Sequence, residues 1–425
     1  MTQPRPRAAV VVTGSELVRG ERNDRNGPFL AAEALRLGLD PERITIVGDR
    51  PEDLERALAE GFDADLCVVS GGLGPTHDDR TVEMVAQVAG RPLIVDPALE
   101  RQIESVSRMF AERMGRPYTE FATGVTKQAT LPEGALSLGL AGTAPGFVLD
   151  TAGSAVVVVL PGPPRELRRL WPRALETAPV QRVVERAPRR GRAVLRFYGT
   201  PESAVARALA EAGGDGDGVE ATICAREFEI HVDLVYDADA EERAEALAAL
   251  LRGGLEHYLF SEDGRSVAEL VLERCRVRGL TLAAAESCTG GLVAARLTDV
   301  AGSSDVFRGG VVAYANDVKE NHLGVSRALL ERHGAVSAEV AQAMAHGVRE
   351  RFGADVGVAV TGIAGPDGGT EEKPVGLVLV HAVGPDAEKA RHMELPGDRE
   401  TIRSRATVAA LHLVRKLLEN RHTAE

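Results

Sequence analysis

Short runs of consecutive apolar residues alternate along the chain with amphipathic stretches, and the two periods define its elements. AAVVVTG (8–14), ITIVGD (44–49), DLCVVSGG (65–72) and AVVVVLPGPP (155–164) predict buried strands. GPFLAAEALRLG (27–38) predicts a helix ending on Gly38, and PEDLERALAEGF (51–62) one opening on Pro. Alternation at this spacing predicts βαβ units and a parallel sheet covered on both faces over residues 1–171. From about Trp171 the pattern changes. Strands at 192–199 and 221–237, the latter a hairpin, enclose helices at 202–213 and 240–255, with a flexible GGDGDG linker at 213–218. They make a small α/β module over 172–260. A third α/β unit occupies 261–425: helix 266–279, strand 280–287, helix 290–297, strand 309–316, helix 337–353, strands 355–362 and 375–383, and helix 399–420. The fold class is α/β in three domains.

Composition narrows the function classes. Apolar residues are 44% and charged residues 27% of 425, an ordinary globular balance, with a loop-rich 45 Gly and 22 Pro. The longest apolar stretch, Ala155 to Leu160, is far short of the ~18 residues of a membrane span, and the amino terminus runs straight into a Gly-Ser-Glu turn. Neither a signal peptide nor a membrane anchor is expected. The net charge of −13, with no dense basic block, argues against nucleic acid as a partner. A phosphate-bearing ligand would need local backbone N–H groups, a few Arg or a metal. Cys67, Cys224, Cys275 and Cys288 form no CxxC pair, which suits a reducing cytoplasm and argues against a disulfide framework or a zinc site. Of the 50 basic residues only five are Lys, including Lys127, Lys319 and Lys373. So biased a chain should keep Lys where Arg cannot substitute, for instance where an amine must lose its proton.

In the first third, Ser70-Gly71-Gly72-Leu73-Gly74-Pro75-Thr76 follows a buried strand and leads into His77-Asp78-Asp79. Such a turn can present N–H groups to an anion, and the Asp pair can share a divalent cation with phosphate oxygens. The same residues also describe a plain βα turn whose Asp pair caps the next helix. Thr13-Gly14-Ser15-Glu16 with Asp24 and Asn26, and Pro161-Gly162-Pro163-Pro164-Arg165-Glu166, mark two further strand ends expected to converge on one crevice.

In the last third, AAAESCTGG (283–291) places Glu286, Ser287, Cys288 and Thr289 at a strand-to-helix turn, where small hydroxyls often act as helix caps. Cys288 reads as a packed thiol rather than a nucleophile, since no His forms a recognisable Cys–His arrangement with it. Ala301-Gly302-Ser303-Ser304 precedes a strand that leads to Tyr314, Asn316 and Lys319. A Ser hydroxyl becomes a nucleophile when a desolvated Lys takes its proton, which makes Ser304 and Lys319 a candidate pair with Tyr314 as relay. Read without chemistry, Ser304 is a cap and Lys319 a surface cation. Thr361-Gly362-Ile363-Ala364-Gly365 offers backbone donors at another strand end, and Arg399 opens the last helix.

TGSELVRG, SGGLGPTHDD, GTAPGF (142–147) and PGPPRE resemble, in order, the amino-terminal domain of CinA proteins, with its molybdopterin-binding (MoaB/MogA-like) fold. That resemblance implies divalent-metal-dependent hydrolysis of ADP-ribose to AMP and ribose 5-phosphate. Gly71, Gly72 and Gly74 would cradle the diphosphate, Thr76, Glu16 and Asp24 would meet substrate, and Asp78 with Asp79 would serve Mg2+ or a similar metal. The chain reads Val125-Thr126 where the family has Asn-Arg, and lacks its Asn ahead of GTAPGF. A domain that only binds a nucleotide or pterin is the alternative. AAAESCTGG, AGSS, YANDVK, HGAVS (333–337), TGIAGPDGG, KPVG (373–376) and GDRE (397–400) resemble the carboxy-terminal CinA domain of the PncC nicotinamide-nucleotide amidohydrolases. This resemblance implies hydrolysis of nicotinamide mononucleotide to nicotinate mononucleotide and ammonia, without a metal. Ser304 would be the nucleophile, Lys319 the base, and Tyr314 a relay or oxyanion donor. Ser287, Thr289, Asn316, Thr361, Gly362 and Arg399 would contact substrate. RFYGTPES (196–203) is similar to the KH-like module between the two. The family further implies a cytoplasmic homodimer.

Overall fold

The structure is a computed structural model and describes residues 5–151, 153 and 155–419. It divides into two compact units, Met1–Gly191 and Arg192–Glu425. The first is built on β1 (Arg7–Thr13), β2 (Asp40–Val47), β3 (Leu66–Ser70), a short pair β4 (Leu93–Val95) and β5 (Thr130–Pro132), then β6 (Leu136–Leu140), β7 (Pro145–Asp150) and β8 (Val156–Leu160). The main sheet runs β2-β1-β3-β8-β7-β6. Val10 and Val12 pack with Val68 and Val158 on one face, while Val11 packs with Val69 and Val159 on the other. Residues alternating along a strand thus enter two cores, which is why these strands read as continuous apolar runs. The wholly parallel sheet predicted for this region is corrected. β7 and β6 are antiparallel to their neighbours, because the turns joining them are too short for a parallel crossover. Helix Pro97–Met114 is an addition, its amino end capped by the Asp96 carboxylate and its carboxyl end closed by Gly115 at φ 64°.

The second unit contains two sheets. β9 (Arg190–Tyr198), β10 (Val219–Arg226), β11 (Glu229–Asp237) and β12 (Leu259–Ser261) form the order β10-β11-β9-β12 under helices Glu202–Glu211 and Glu241–Gly254. β13 (Leu282–Glu286), β14 (Phe307–Val312), β15 (Val356–Gly362), β16 (Leu377–Val383) and β17 (Glu388–Glu394) form the order β14-β13-β15-β16-β17. β14, β13 and β15 are parallel, whereas β16 and β17 run antiparallel. Ala284 and Val358 enter the core with helices Val267–Val277 and Arg399–Glu419, and Ala283 and Ala359 enter the opposite one with helix Ala338–Phe352. The last residue of the predicted closing helix, Asn420, lies outside the described residues.

The four-stranded sheet and helix Arg399–Glu419 meet at a buried polar contact. The Tyr198 ring stacks 3.7 Å from that of His412, with Phe260 edge-on. His412 Nε2 lies 2.8 Å from Glu229, and its Nδ1 accepts from Arg415 Nε at 3.2 Å. Accepting at Nδ1 requires the neutral imidazole, and burial pulls this His down to about 4. Burial alone would raise Glu229, but hydrogen bonds from His231 and His412 outweigh it and bring the carboxyl down to about 2. Below the ordinary imidazole range of ~6.5 the unfolded chain takes up a proton that folded His412 refuses until about pH 4. The unfolding temperature of this unit should therefore fall as pH drops from 7 towards 4, with the Glu229 contribution lost lower still. His412→Gln should flatten the upper part of that curve. An unchanged slope would remove His412 as its cause.

Candidate active site

The three parallel strands of the second unit end at one edge, and their following loops assemble the polar groups. Ser287 continues β13, tied by its backbone N–H to Val360 O at 2.9 Å. Gly290 and Gly291 then turn the chain with φ of 60° and 101° into helix Leu292–Thr298. Glu286, though 2% exposed, is satisfied: its carboxylate accepts from the N–H groups of Gly291, Val293 and Ala294 at 2.9–3.0 Å. Those donors are thereby occupied, and Gly290 N–H donates to Ser287 O. Arg403 clamps the same turn through Cys288 O and Thr289 O.

Lys319 comes from helix Asn316–Leu323, after β14. It is 1% exposed, with Nζ 2.7 Å from Ala313 O, 3.3 Å from Tyr314 O and 3.2 Å from Ser287 Oγ. Burial lowers its pKa, opposed weakly by Cys288. A neutral amine has two N–H donors and one lone pair. In the ammonium form Nζ donates to all three oxygens; once a proton is lost, the two carbonyls take the remaining donors and the lone pair faces the Ser287 hydroxyl.

Ser304 does not join this group, and its pairing with Lys319 is corrected. It is exposed on the turn Ser303–Asp305, ahead of β14, whereas Lys319 follows that strand. Six strand residues at ~3.3 Å each put roughly 20 Å between the two ends. Burial pushes the Cys288 thiol up to about 12, as suits a packed side chain. Tyr314 is 59% exposed, and its Oη accepts from Arg399 Nη2 at 2.7 Å. Arg399 Nη1 donates to Gly365 O at 2.7 Å, which bridges the loops after β14 and β15. Thr361 is buried and donates to Ala335 O, fixing the 333–337 loop. Gly362 leaves no room for a Cβ, which would lie 2.6 Å from Leu377 O. Asn316 is exposed at the start of its helix. Thr289 Oγ1 is buried with no hydrogen-bond partner among the described residues.

In the first unit the ends of β1, β3 and β8 converge as expected. They line a cavity of about 600 Å³ with Thr13, Glu16, Asp24, Asn26, Ser70 and Gly162 on its wall. It opens where β1 is flanked by β2 and β3, a topological switch point. Asn26 Nδ2 donates to Ser70 Oγ at 2.9 Å and Gly162 O at 2.7 Å. Asn26 Oδ1 and Thr13 Oγ1 are buried there without a partner among the described residues. Asp24 is turned to cap its own helix, accepting from Gly27 N–H.

The Gly-rich loop departs from its expected role. Gly71 N–H donates to Leu160 O, so it is not free for a phosphate. At φ 107° a Cβ on Gly71 would sit 2.6 Å from Thr13 O, and on Gly72 2.1 Å from Thr81 Oγ1. These glycines admit close packing. Gly72, Gly74 and Asp79 instead face a second cavity of about 170 Å³ with Lys127 and Gln128. Asp79 Oδ2 accepts from both N–H and O–H of Thr76, while Asp78 is exposed. Among the described residues neither Asp belongs to a cluster of three or more His, Cys, Asp or Glu side chains able to close on a metal. Two carboxylates with one oxygen occupied fit a hydrated Mg2+ shared with substrate phosphates rather than a protein cage.

Residues 264–418 match the family described as CinA C-terminal domain, and residues 9–179 that described as probable molybdopterin binding domain. A CinA-like protein of Mycolicibacterium paratuberculosis is 47% identical over 430 residues, covering 97% of this chain and 98% of its own. One of Mycobacterium tuberculosis is 46% identical over 426 residues, covering 97% of each. Among solved structures, the competence/damage inducible protein CihA from Agrobacterium tumefaciens is 41% identical and covers 37% of this chain and 99% of that one, with a TM-score of 0.35. With both halves matched in order and relatives alike nearly end to end, the chain belongs to the CinA family.

Proposed function

We propose that the carboxy-terminal part hydrolyses the carboxamide of nicotinamide mononucleotide, with Ser287 as nucleophile and Lys319 as base. One observation carries this reading: a buried Lys held by two backbone carbonyls, with its Nζ 3.2 Å from a Ser hydroxyl at a sheet's carboxyl edge, where the neutral amine can take the hydroxyl proton. Lys319 takes the Ser287 proton as Oγ attacks the amide carbon, and returns it to the departing ammonia. Water then attacks the acyl-enzyme, its proton passing to Lys319 and on to Ser287 Oγ as that oxygen leaves the acyl carbon and the nicotinate product is freed. Tyr314, its Oη held by Arg399, replaces the occupied turn N–H groups as oxyanion donor. Arg399 keeps further N–H donors for a phosphate. Ammonia release from nicotinamide mononucleotide by the full chain tests the proposal, and folded protein that releases none overturns it.

For the amino-terminal unit the reading is a nucleotide site at the 600 Å³ crevice, with ADP-ribose as its substrate. The unpartnered Asn26 Oδ1 and Thr13 Oγ1 support it, because buried acceptors and hydroxyls without partners suit a polar ligand. The resemblance assigns the metal that would neutralise diphosphate charge to Asp78 and Asp79, of which Asp79 lines the second cavity and neither lines this crevice. The committed Gly71 N–H and the replacement of the family's Asn-Arg by Val125-Thr126 favour binding without turnover as a second reading. Full-length protein mixed with ADP-ribose and Mg2+ should form AMP, and chelator should stop it. Saturable binding without AMP would leave the binding module.

A further inference from the structure

We propose that His346, His381 and Glu388 form a divalent transition-metal site on the far side of the five-stranded sheet from the Arg399 helix. The three come from three elements: helix Ala338–Phe352, β16, and the first residue of β17. His346 Nε2 lies 3.1 Å from Glu388 Oε1, and His381 Nε2 lies 2.8 Å from Glu388 Oε2. One ligand atom from each side chain falls within 4.8 Å of the others. Metal–ligand bonds of ~2.0–2.2 Å set neighbouring donor atoms roughly 3.0–3.5 Å apart. The cluster is therefore near its ligating spacing before any ion enters.

Chemistry and placement agree. Two imidazoles and a carboxylate suit Zn2+, Fe2+, Co2+ or Ni2+, and do not suit Ca2+ or Mg2+, which take oxygen. His381 is 7% exposed within LVLVHAV, a strand otherwise buried and apolar. An imidazole there needs a polar partner that Val or Leu would not. His346 and Glu388 side chains are each 39% exposed, which leaves an entry path and open coordination positions for water or a further ligand. Gln342, one helical turn before His346, donates to Glu388 Oε2 at 3.1 Å, the oxygen that His381 also approaches, and so holds the carboxylate as outer partners of metal ligands do. On binding, each imidazole takes its Nδ1–H tautomer and the Nε2 lone pair replaces its hydrogen bond to Glu388. The ion would join helix Ala338–Phe352 to the β16–β17 hairpin.

The test uses untagged, chelator-treated full-length protein titrated with Co2+ and followed by its visible absorption and by equilibrium dialysis. One Co2+ per chain is expected, displaced by Zn2+. His346→Gln and Glu388→Gln should each weaken it by at least ~10-fold, and Zn2+ should raise the unfolding temperature of wild type but not of either variant. These two positions are half-exposed, so the result does not depend on the buried His381 surviving replacement. No stoichiometric Co2+ in wild type, or equal binding by both variants, overturns the site.

Discussion

Ser287→Ala is expected to abolish ammonia release from nicotinamide mononucleotide, while Ser304→Ala retains nearly wild-type turnover. The first removes the only hydroxyl set against the Lys319 amine among the described residues. Loss of the nucleophile in a comparable serine hydrolase costs roughly 10⁶-fold in kcat. The fold should hardly register the change, because the Ser287 N–H bond to Val360 O remains. Ser304, exposed before β14, offers nothing to the site. Circular dichroism and the unfolding temperature would accompany the assay. Activity surviving in folded Ser287→Ala, or vanishing in Ser304→Ala, would return the nucleophile to Ser304.

Lys319→Met should cost less than losing the nucleophile but still roughly 10³-fold or more, since it fills the same buried space without a base. Lys319→Arg should also fail, because a guanidinium does not give up its proton. The wild-type pH profile carries the finer evidence. Burial favours the neutral amine, so kcat/KM should climb with pH and level off at a midpoint below the ~10.4 of a free Lys. A profile flat from pH 6 to 10, or Lys319→Met with half of wild-type turnover, would take Lys319 out of the mechanism.

Much of this architecture is legible in the chain. The strands at β1, β3, β8, β13 and β15 are runs buried on both faces, and nothing but a covered sheet explains them. β17 escapes because its sequence, EKARHME, is mostly charged and sits at a sheet edge. β6 escapes because Leu136–Leu140 carries Ser and Gly amid exposed positions, and β7, though buried, opens on the turn-like pair Pro145-Gly146. The Lys at the site is found through the scarcity of Lys, but its partner is not, because both serines sit in small-residue turns. A usable signal was present. Ser304 precedes and Lys319 follows the same predicted strand, so the two must lie at opposite ends, whereas Ser287 and Lys319 each follow a strand of one parallel pair. The committed Gly71 N–H and the His346–His381–Glu388 cluster depend on tertiary placement, with ligand spacings of 35 and 7 residues that form no local motif.

The contact between Tyr198, Glu229 and His412 bears on how this molecule can be taken apart. A chain severed just ahead of Ser261 would leave Tyr198, Glu227 and Glu229 behind. Its carboxy-terminal piece would bring His412 into water as an ordinary weak base, and would strip Arg296 and Ser404 of their shared carboxylate on Glu227. Leu270 and Val408, which pack with Tyr198, would be left as a wetted greasy patch. Division after Gly191 spares all of these contacts and costs β9 only its first two residues. Fragments meant for separate study are better cut there, with the small sheet kept as a sleeve on the carboxy-terminal part.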